Sequence, residues 1–211
     1  MKPFKRAIGV AVPFLEDDVN TDQIAPVGGG VRFGEDYAQT FFRHRRRLAD
    51  GTENPDFIFN QSQYKNPVIV VTGKNFGCGS SRESAVWALQ AIGVSCIVAR
   101  SFADIYRENC LQNGVLPIVL SDEAVERLES ATIAAGGKHD FTVDLEERTI
   151  RGPEGLTLTF HIPPSDRTRL LEGLDDIGLT MKSLDDIRAF EQKALSARPW
   201  AQRADINAVR D

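Results

Sequence analysis

Residues 66–93, NPVIVVTGKNFGCGSSRESAVWALQAIG, join a continuous apolar run to a segment with helical apolar spacing through a turn rich in glycine and serine. The run at 66–73 is β-branched and lacks polar alternation, which is typical of a strand buried on both faces. The segment 82–93 has the apolar spacing of a helix. The stretch therefore predicts a strand, a glycine turn and a helix, which together begin a parallel crossover unit.

The same alternation continues along the chain. AIGVAVPF (7–14), VSCIVAR (94–100) and VLPIVL (115–120) predict further strands, and SFADIYRENCLQNG (101–114) predicts a helix that ends at a glycine. Ser121 has the position of an N-cap for the helix that follows. Strands that alternate with helices in this way favour a parallel sheet.

Two later segments have a different pattern. HDFTVDLEERTI (139–150) and LTLTFHI (156–162) alternate polar and apolar residues, as paired strands with one wet face do. We therefore expect an α/β fold with a mixed, mostly parallel sheet flanked by helices. We expect one domain over residues 1–163, followed by a helical C-terminal extension with a polar tail over residues 164–211.

Composition limits the function classes. The 211 residues are 42% hydrophobic and 26% charged, as in an ordinary globular protein, and the net charge of −5 argues against a general nucleic-acid binder. No apolar stretch approaches the roughly 18 residues of a membrane span. The three cysteines are widely spaced and suggest neither a disulfide framework nor a complete metal site. We expect a cytoplasmic protein with no metal site in this chain, no membrane contact and no nucleic-acid partner.

The glycine-serine turn has the residues of a small anion site. Gly77 and Gly79 permit unusual backbone geometry and leave room for a close ligand. If the helix begins near Ser80 and Ser81, its free N–H groups favour an anion, and Arg82 adds a cation that can grip a carboxylate with two hydrogen bonds. The turn lies at the carboxyl end of a predicted parallel strand, where α/β sheets commonly bind ligands.

Two nucleotide-binding motifs do not fit, and one structural alternative does. A Walker A loop needs Lys-Ser/Thr after its last glycine, and the dinucleotide fingerprint needs a third glycine where this sequence has Arg82. The alternative is a capping box in which Ser80 and Glu83 only begin a helix. An arginine in the first helical turn opposes the helix dipole, so a bound anion explains Arg82 better than helix stability does.

Several separated motifs resemble those of a known family. GKNFGCGSSRES (73–84), VNTDQIAP (19–26), GVSCIVARSFADIYRENCLQNGVLPI (93–118) and GLDDIGLTMKSLDDIRAFE (173–191) occur in the order found in the swivel domain of the aconitase superfamily. Within that superfamily the chain resembles the small subunits of 3-isopropylmalate dehydratase over residues 5–195. The resemblance implies a swivel-type α/β domain.

The resemblance also implies an activity. It implies the small subunit of a heteromeric hydro-lyase that isomerises 2- and 3-isopropylmalate by dehydration and rehydration in leucine biosynthesis, and that is active only with a large subunit holding a [4Fe-4S] cluster. The alternatives are a related dehydratase subunit for another 2-hydroxy diacid, of methylmalate, dimethylmalate or homoaconitate type, and a non-catalytic dicarboxylate-binding module. The loop at 26–33 is shorter than in typical small subunits, which leaves the side group of the substrate open.

The family's motifs assign roles to individual residues. Ser80 would be the catalytic base, and Ser81 and Arg82 would contact a substrate carboxylate. Asp22 would bind at the same site by orienting an arginine, and Arg32 would be a second carboxylate-binding arginine. These roles follow from the resemblance and not from spacing.

The basic segment RHRRR (43–47) is the remaining conspicuous feature. We expect a helix over residues 37–51 and interpret the arginines as its solvated end, or otherwise as a contact with an acidic patch on the partner subunit.

Overall fold

The computed structural model describes residues 1–26, 37–198 and 200. Its sheet has seven strands in the order β4-β3-β2-β1-β5-β6-β7. The strands are β1 (Arg6–Phe14), β2 (Pro67–Thr72), β3 (Cys96–Ala99), β4 (Leu116–Val119), β5 (Phe141–Asp144), β6 (Thr149–Arg151) and β7 (Thr157–Thr159). Strands β1 to β4 pair in parallel, whereas β5 to β7 pair antiparallel. The expected mixed sheet is confirmed.

Helices follow the strands as predicted for crossover connections. They are α1 (Thr21–Ile24), α2 (Arg43–Arg46), α3 (Ser84–Ala91), α4 (Asp104–Asn113), α5 (Asp122–Ala135), α6 (Pro164–Glu172), α7 (Asp176–Met181) and α8 (Leu184–Ala197). Gly114 ends α4 in the left-handed conformation, and the Ser121 side chain accepts a hydrogen bond from the Ala124 N–H at the start of α5. Both predicted caps are confirmed.

Strand β1 joins the two halves of the sheet. Its first residues, from Arg6 to Gly9, pair antiparallel with β5, and its last residues, from Val10 to Phe14, pair in parallel with β2. At Gly9 a Cβ atom would lie 2.5 Å from the Val68 side chain, so a larger residue does not fit where the pairing changes.

Alternate residues of the parallel strands pack into two hydrophobic cores. Ile69 and Val71 of β2 belong to a core that α5 covers with Val125, whereas Val70 belongs to a core that α3 covers with Leu89. Because successive side chains of a strand point to opposite faces, the two cores lie on opposite faces of the sheet. This explains why the predicted strands are mostly apolar and lack alternation of polar residues.

The segment after residue 36 differs from its prediction. A 3₁₀ turn covers Tyr37–Gln39 and α2 has only four residues, because Phe42 between them is left-handed at φ 43°. Phe42 packs in a buried cluster of phenylalanines, and this packing outweighs helix propensity. The long helix expected over residues 37–51 is wrong.

The chain divides into two compact units, Met1–Gly173 and Leu174–Asp211. Helix α6 belongs to the first unit, where Leu170 is buried in the core. The second unit contains α7, which Asp175 caps, and α8. The domain boundary between residues 163 and 164 stays a prediction.

Candidate functional site

Two loops at the carboxyl ends of β1 and β2 form the candidate site. The loop 15–20 lies beside the loop 73–83, and backbone hydrogen bonds join them: Gly77 N–H to the Val19 carbonyl at 2.8 Å and Thr21 N–H to the Cys78 carbonyl at 2.8 Å. Asn20 and Cys78 form a parallel bridge. The turn predicted from the sequence is therefore held as a short extension of the sheet.

The glycines of the turn are required by its geometry. Gly77 has φ +79°, and a Cβ atom there would lie 2.0 Å from the ring of Tyr106. Tyr106 is buried under the turn, together with Phe76. Gly79 has φ +104° and faces Asn20. Both positions confirm that the backbone needs glycine, because left-handed conformations strain other residues and because Gly77 leaves no space for a side chain.

Ser80 lies in the middle of this arrangement and is half-buried. Its Oγ is 2.7 Å from the Thr21 Oγ1 and 3.0 Å from the Arg82 Nε, which donates to it. Thr21 is buried at the first position of α1, where a capping box of Asn20 and Gln23 fixes the backbone. A guanidinium N–H and a hydroxyl thus surround the Ser80 oxygen, an arrangement that favours negative charge on that oxygen.

Arg82 is oriented by a carboxylate. Its NH2 donates to the Asp22 Oδ1 in an ion pair, while its Nε donates to Ser80. The Arg82 side chain is one-third exposed and that of Asp22 is two-thirds exposed. Arg82 therefore retains donors that a ligand at the protein surface can reach.

Helix α3 begins later than expected. Its first residue is Ser84, and Glu83 at the N-cap accepts no side-chain cap hydrogen bond. The alternative of a capping box from Ser80 to Glu83 is therefore wrong. The prediction that the helix begins at Ser80 or Ser81 is also wrong, because residues 80–82 have no helical backbone and the helix begins at Ser84.

Two residues of the site were missed in the sequence. Thr21 lies next to the predicted Asp22, yet nothing in its spacing to Ser80 predicts their contact. Asn109 of α4 donates from Nδ2 to the Ser81 carbonyl at 3.1 Å, which ties α4 to the loop while Ser81 stays exposed. No sequence pattern marks Asn109, which only the structure shows to be buried, at 7% exposure.

Arg32 and the three cysteines remain to be placed. Arg32 lies outside the described residues. Cys78 is half-buried, and its Sγ lies 3.5 Å from the Asp18 carbonyl. Burial raises the pKa of the Cys96 and Cys110 thiols, which keeps both thiols protonated.

The described ranges 1–26, 37–198 and 200 contain neither a group of metal-binding side chains nor a helix that could span a membrane. These ranges contain no group of three or more His, Cys, Asp or Glu residues that could hold a metal ion. Within the same ranges no helix combines the length and apolarity that crossing a bilayer requires.

Comparison with known families identifies the class of this fold and site. The model of the aconitase C-terminal domain matches residues 1–123, which include both loops of the site. The model of the C-terminal domain of the 3-isopropylmalate dehydratase small subunit matches residues 176–204. The chain thus has the fold of aconitase C-terminal domains, as the resemblance implied.

Similar proteins indicate which family within this fold class the chain resembles. The 3-isopropylmalate dehydratase small subunit of Dinoroseobacter shibae is 44% identical over 209 residues, and that of Methylobacterium radiotolerans is 45% identical over 207 residues. Each alignment covers 95% of this chain and 100% of the relative. The crystal structure of 3-isopropylmalate dehydratase (leuD) from Methanocaldococcus jannaschii matches with a TM-score of 0.58 at 26% identity, covering 88% of this chain and 99% of that chain.

The chain belongs to the family of 3-isopropylmalate dehydratase small subunits. Membership implies a large-subunit partner.

Proposed function

We propose that this chain is the small subunit of a heteromeric hydro-lyase that interconverts 2- and 3-isopropylmalate by dehydration and rehydration in leucine biosynthesis. The proposal rests on family membership and on one observation, the Ser80 Oγ held between the Arg82 Nε at 3.0 Å and the Thr21 hydroxyl at 2.7 Å. We also assign the protein to the cytoplasm.

Ser80 is the base in this proposal. Its oxygen takes the proton from the carbon next to a substrate carboxylate and returns a proton during rehydration. A serine hydroxyl is a weak base, so the oxygen needs positive surroundings in order to exist as an alkoxide. The Arg82 guanidinium is positively charged and donates its Nε–H to the oxygen, and the Thr21 hydroxyl can donate to the same oxygen.

Arg82 also binds a carboxylate of the substrate. Asp22 holds one side of the guanidinium, which leaves the group in a fixed orientation when the substrate arrives. Ser81, exposed beside it, contacts the same carboxylate. We assign the second carboxylate to Arg32, on the strength of the family motif alone.

The metal chemistry belongs to the partner in this proposal. Membership of the aconitase family fits a [4Fe-4S] cluster in the large subunit, and the described part of this chain offers no group of ligands for it. Bound there, the cluster supplies a Lewis acid that assists departure of the substrate hydroxyl. This chain contributes the base and the carboxylate contacts, so each subunit holds an incomplete site.

Reconstitution tests the proposal. The full chain is mixed with the large subunit, its cluster intact, and the ultraviolet absorbance of the unsaturated acid is followed with 2- and 3-isopropylmalate as substrates. We expect turnover of both by the mixture and none by either subunit alone.

Two other outcomes would support the alternatives to this proposal. Turnover only of methylmalate, dimethylmalate or a homocitrate-type acid would show that the substrate assignment is wrong and that the hydro-lyase assignment is right. Tight dicarboxylate binding by the isolated chain, without turnover of any diacid in the mixture, would support the binding module instead.

A further inference from the structure

A basic cavity lies outside the site described above. Its volume is about 220 Å³, and its lining consists of two short elements and the chain that follows them: Ala38, Gln39, Phe41, Arg43, Arg46, Arg47 and Glu53. Three arginines and one carboxylate thus face one hollow in a chain whose net charge is −5. We propose that this cavity is a binding site for a small dianion with phosphate or carboxylate groups.

Arg46 is held in place without a carboxylate partner among the described residues. Its Nε donates to the Asn60 Oδ1 at 3.1 Å, its NH1 donates to the Ala38 carbonyl at 3.4 Å, and its guanidinium lies 6.0 Å from the centre of the Phe41 ring. These neutral contacts orient the guanidinium and leave its charge unneutralised by any described residue. A half-buried, fixed and uncompensated charge is suited to an anion.

The other two arginines are also uncompensated within the described ranges. Arg47 donates to the Gly51 carbonyl at 3.0 Å, and the Arg43 guanidinium forms no hydrogen bond or ion pair with a described residue. Their neighbour Arg45 shows the opposite behaviour, because Glu16 accepts two hydrogen bonds of 2.6 Å from it. Among the residues that the structure describes, Arg45 outside the cavity thus forms an ion pair, whereas the three arginines that line it form none.

The electrostatics favour a dianion. Like charges that converge on one hollow repel each other, and Glu53 on the lining offsets only one of them. An anion with two negative charges removes this repulsion and can accept hydrogen bonds from more than one guanidinium. Since a water molecule occupies about 30 Å³ of liquid, the hollow has room for an ion the size of phosphate or succinate.

Isothermal titration of the full chain tests the site. Phosphate and succinate are titrated separately at constant ionic strength, with acetate as a monovalent comparison. We expect saturable binding of at least one dianion and at least tenfold weaker binding of acetate. The dianion that binds more tightly identifies the ligand class.

Four variants locate the binding. Arg43→Gln should weaken dianion binding about tenfold or more, and it leaves the contacts of Arg46 in place, so the chain should fold normally. Glu53→Gln should tighten binding severalfold, because it removes the negative charge from the lining. Arg127→Gln, at an exposed arginine of α5, should leave binding unchanged, and Arg82→Gln reports any binding at the Ser80 site.

The proposal fails in either of two ways. One is the absence of saturable binding for both dianions at millimolar concentration. The other is binding that Arg82→Gln removes and Arg43→Gln does not, which would assign the anion to the Ser80 site. Because the measurement needs neither the large subunit nor turnover, its result is independent of the dehydratase proposal.

Discussion

Two arginine–aspartate pairs differ in how much of the aspartate side chain is exposed. Arg6 and Asp144 join β1 to β5 in the antiparallel half. Arg82 and Asp22 lie at the carboxyl ends of the parallel strands. In the first pair the aspartate side chain is 5% exposed, and in the second it is 66% exposed.

The difference separates a pair suited to stability from the pair that we propose to bind substrate. Asp144 accepts from Arg6 at one oxygen and from the Glu147 N–H at the other, at 2.9 Å, so both of its oxygens are satisfied within the chain. Arg82 donates to Asp22 and also to the half-buried hydroxyl of Ser80, and its own side chain stays one-third exposed. A pair that orients a reactive group and remains exposed is suited to a ligand, whereas a pair that satisfies itself is suited to stability.

Ser80→Ala should give the largest effect. The variant removes the proposed base and leaves Arg82 paired with Asp22. We expect turnover by the reconstituted enzyme to fall about 10²- to 10⁴-fold, the usual contribution of a positioned base. Steady-state kinetics of the reconstituted variant measures the fall.

The control for this variant is Ser130→Ala. Ser130 is exposed on α5 and donates to the Glu126 carbonyl of the same helix, so its loss should not alter turnover. Melting temperatures of both variants should equal that of the wild type. Equal turnover of Ser80→Ala and the wild type would remove the assignment of Ser80 as base.

Gly77→Ala should give the next largest effect, on the stability of the loop that holds Ser80 and Arg82. The added Cβ would meet the Tyr106 ring at 2.0 Å, at a backbone φ of +79°. Overpacking together with left-handed strain should lower the free energy of unfolding by about 2–4 kcal/mol. Urea denaturation measures the change.

Gly51→Ala is the matched control for strain without overpacking. Gly51 has a similar φ of +85°, and a Cβ added there would have nothing within 4 Å, so only the strain of about 1 kcal/mol remains. Equal losses in the two variants would mean that contact with Tyr106 does not determine the shape of the loop.

Arg82→Lys should weaken substrate binding without weakening the fold. An ammonium group cannot reproduce the two-pronged contact, so KM should rise about 10- to 100-fold, with little change in the free energy of unfolding. Arg6→Lys makes the same substitution in the other pair and should leave KM unchanged. A similar rise in KM for both variants would contradict the separation of roles.

The sequence predicts the parallel half well because its signals are local. The continuous β-branched run of β2 and the N-cap Ser121 depend on neighbouring residues only, and both are found as predicted. Ser80 was assigned as the base by the family resemblance, and Arg82 was indicated as an anion contact by the residues of the same turn. Their roles stay predictions.

Contacts between distant segments could not be predicted. Thr21 meets Ser80 across 59 residues, and α3 begins only at Ser84. The arginine segment is the clearest case. Its residues have good helix propensity, yet Arg45 lies 5.0 Å from the Phe57 ring centre and binds Glu16, so the interpretation of this residue as a solvated helix end is wrong.

Asp144→Asn should give the smallest effect, a loss in the free energy of unfolding that depends on pH. Burial opposes ionisation of Asp144, but the Glu147 N–H and the Arg6 guanidinium outweigh it and hold the pKa of the carboxyl below its usual value. A carboxyl with a lowered pKa in the folded state stabilises the fold above its usual pKa, and this stabilisation is lost as the pH falls through the lowered pKa.

The free energy of unfolding should therefore fall by about 1–2 kcal/mol in Asp144→Asn at neutral pH. The difference from the wild type should shrink as the pH is lowered through the acidic range, because the wild-type carboxyl then becomes neutral as well. Asp185→Asn is the control, since that side chain is fully exposed and lies 4.0 Å from Arg188. Urea denaturation across the acidic range measures both variants, and a difference that persists unchanged at low pH would show that the charge of Asp144 does not stabilise the junction between β1 and β5.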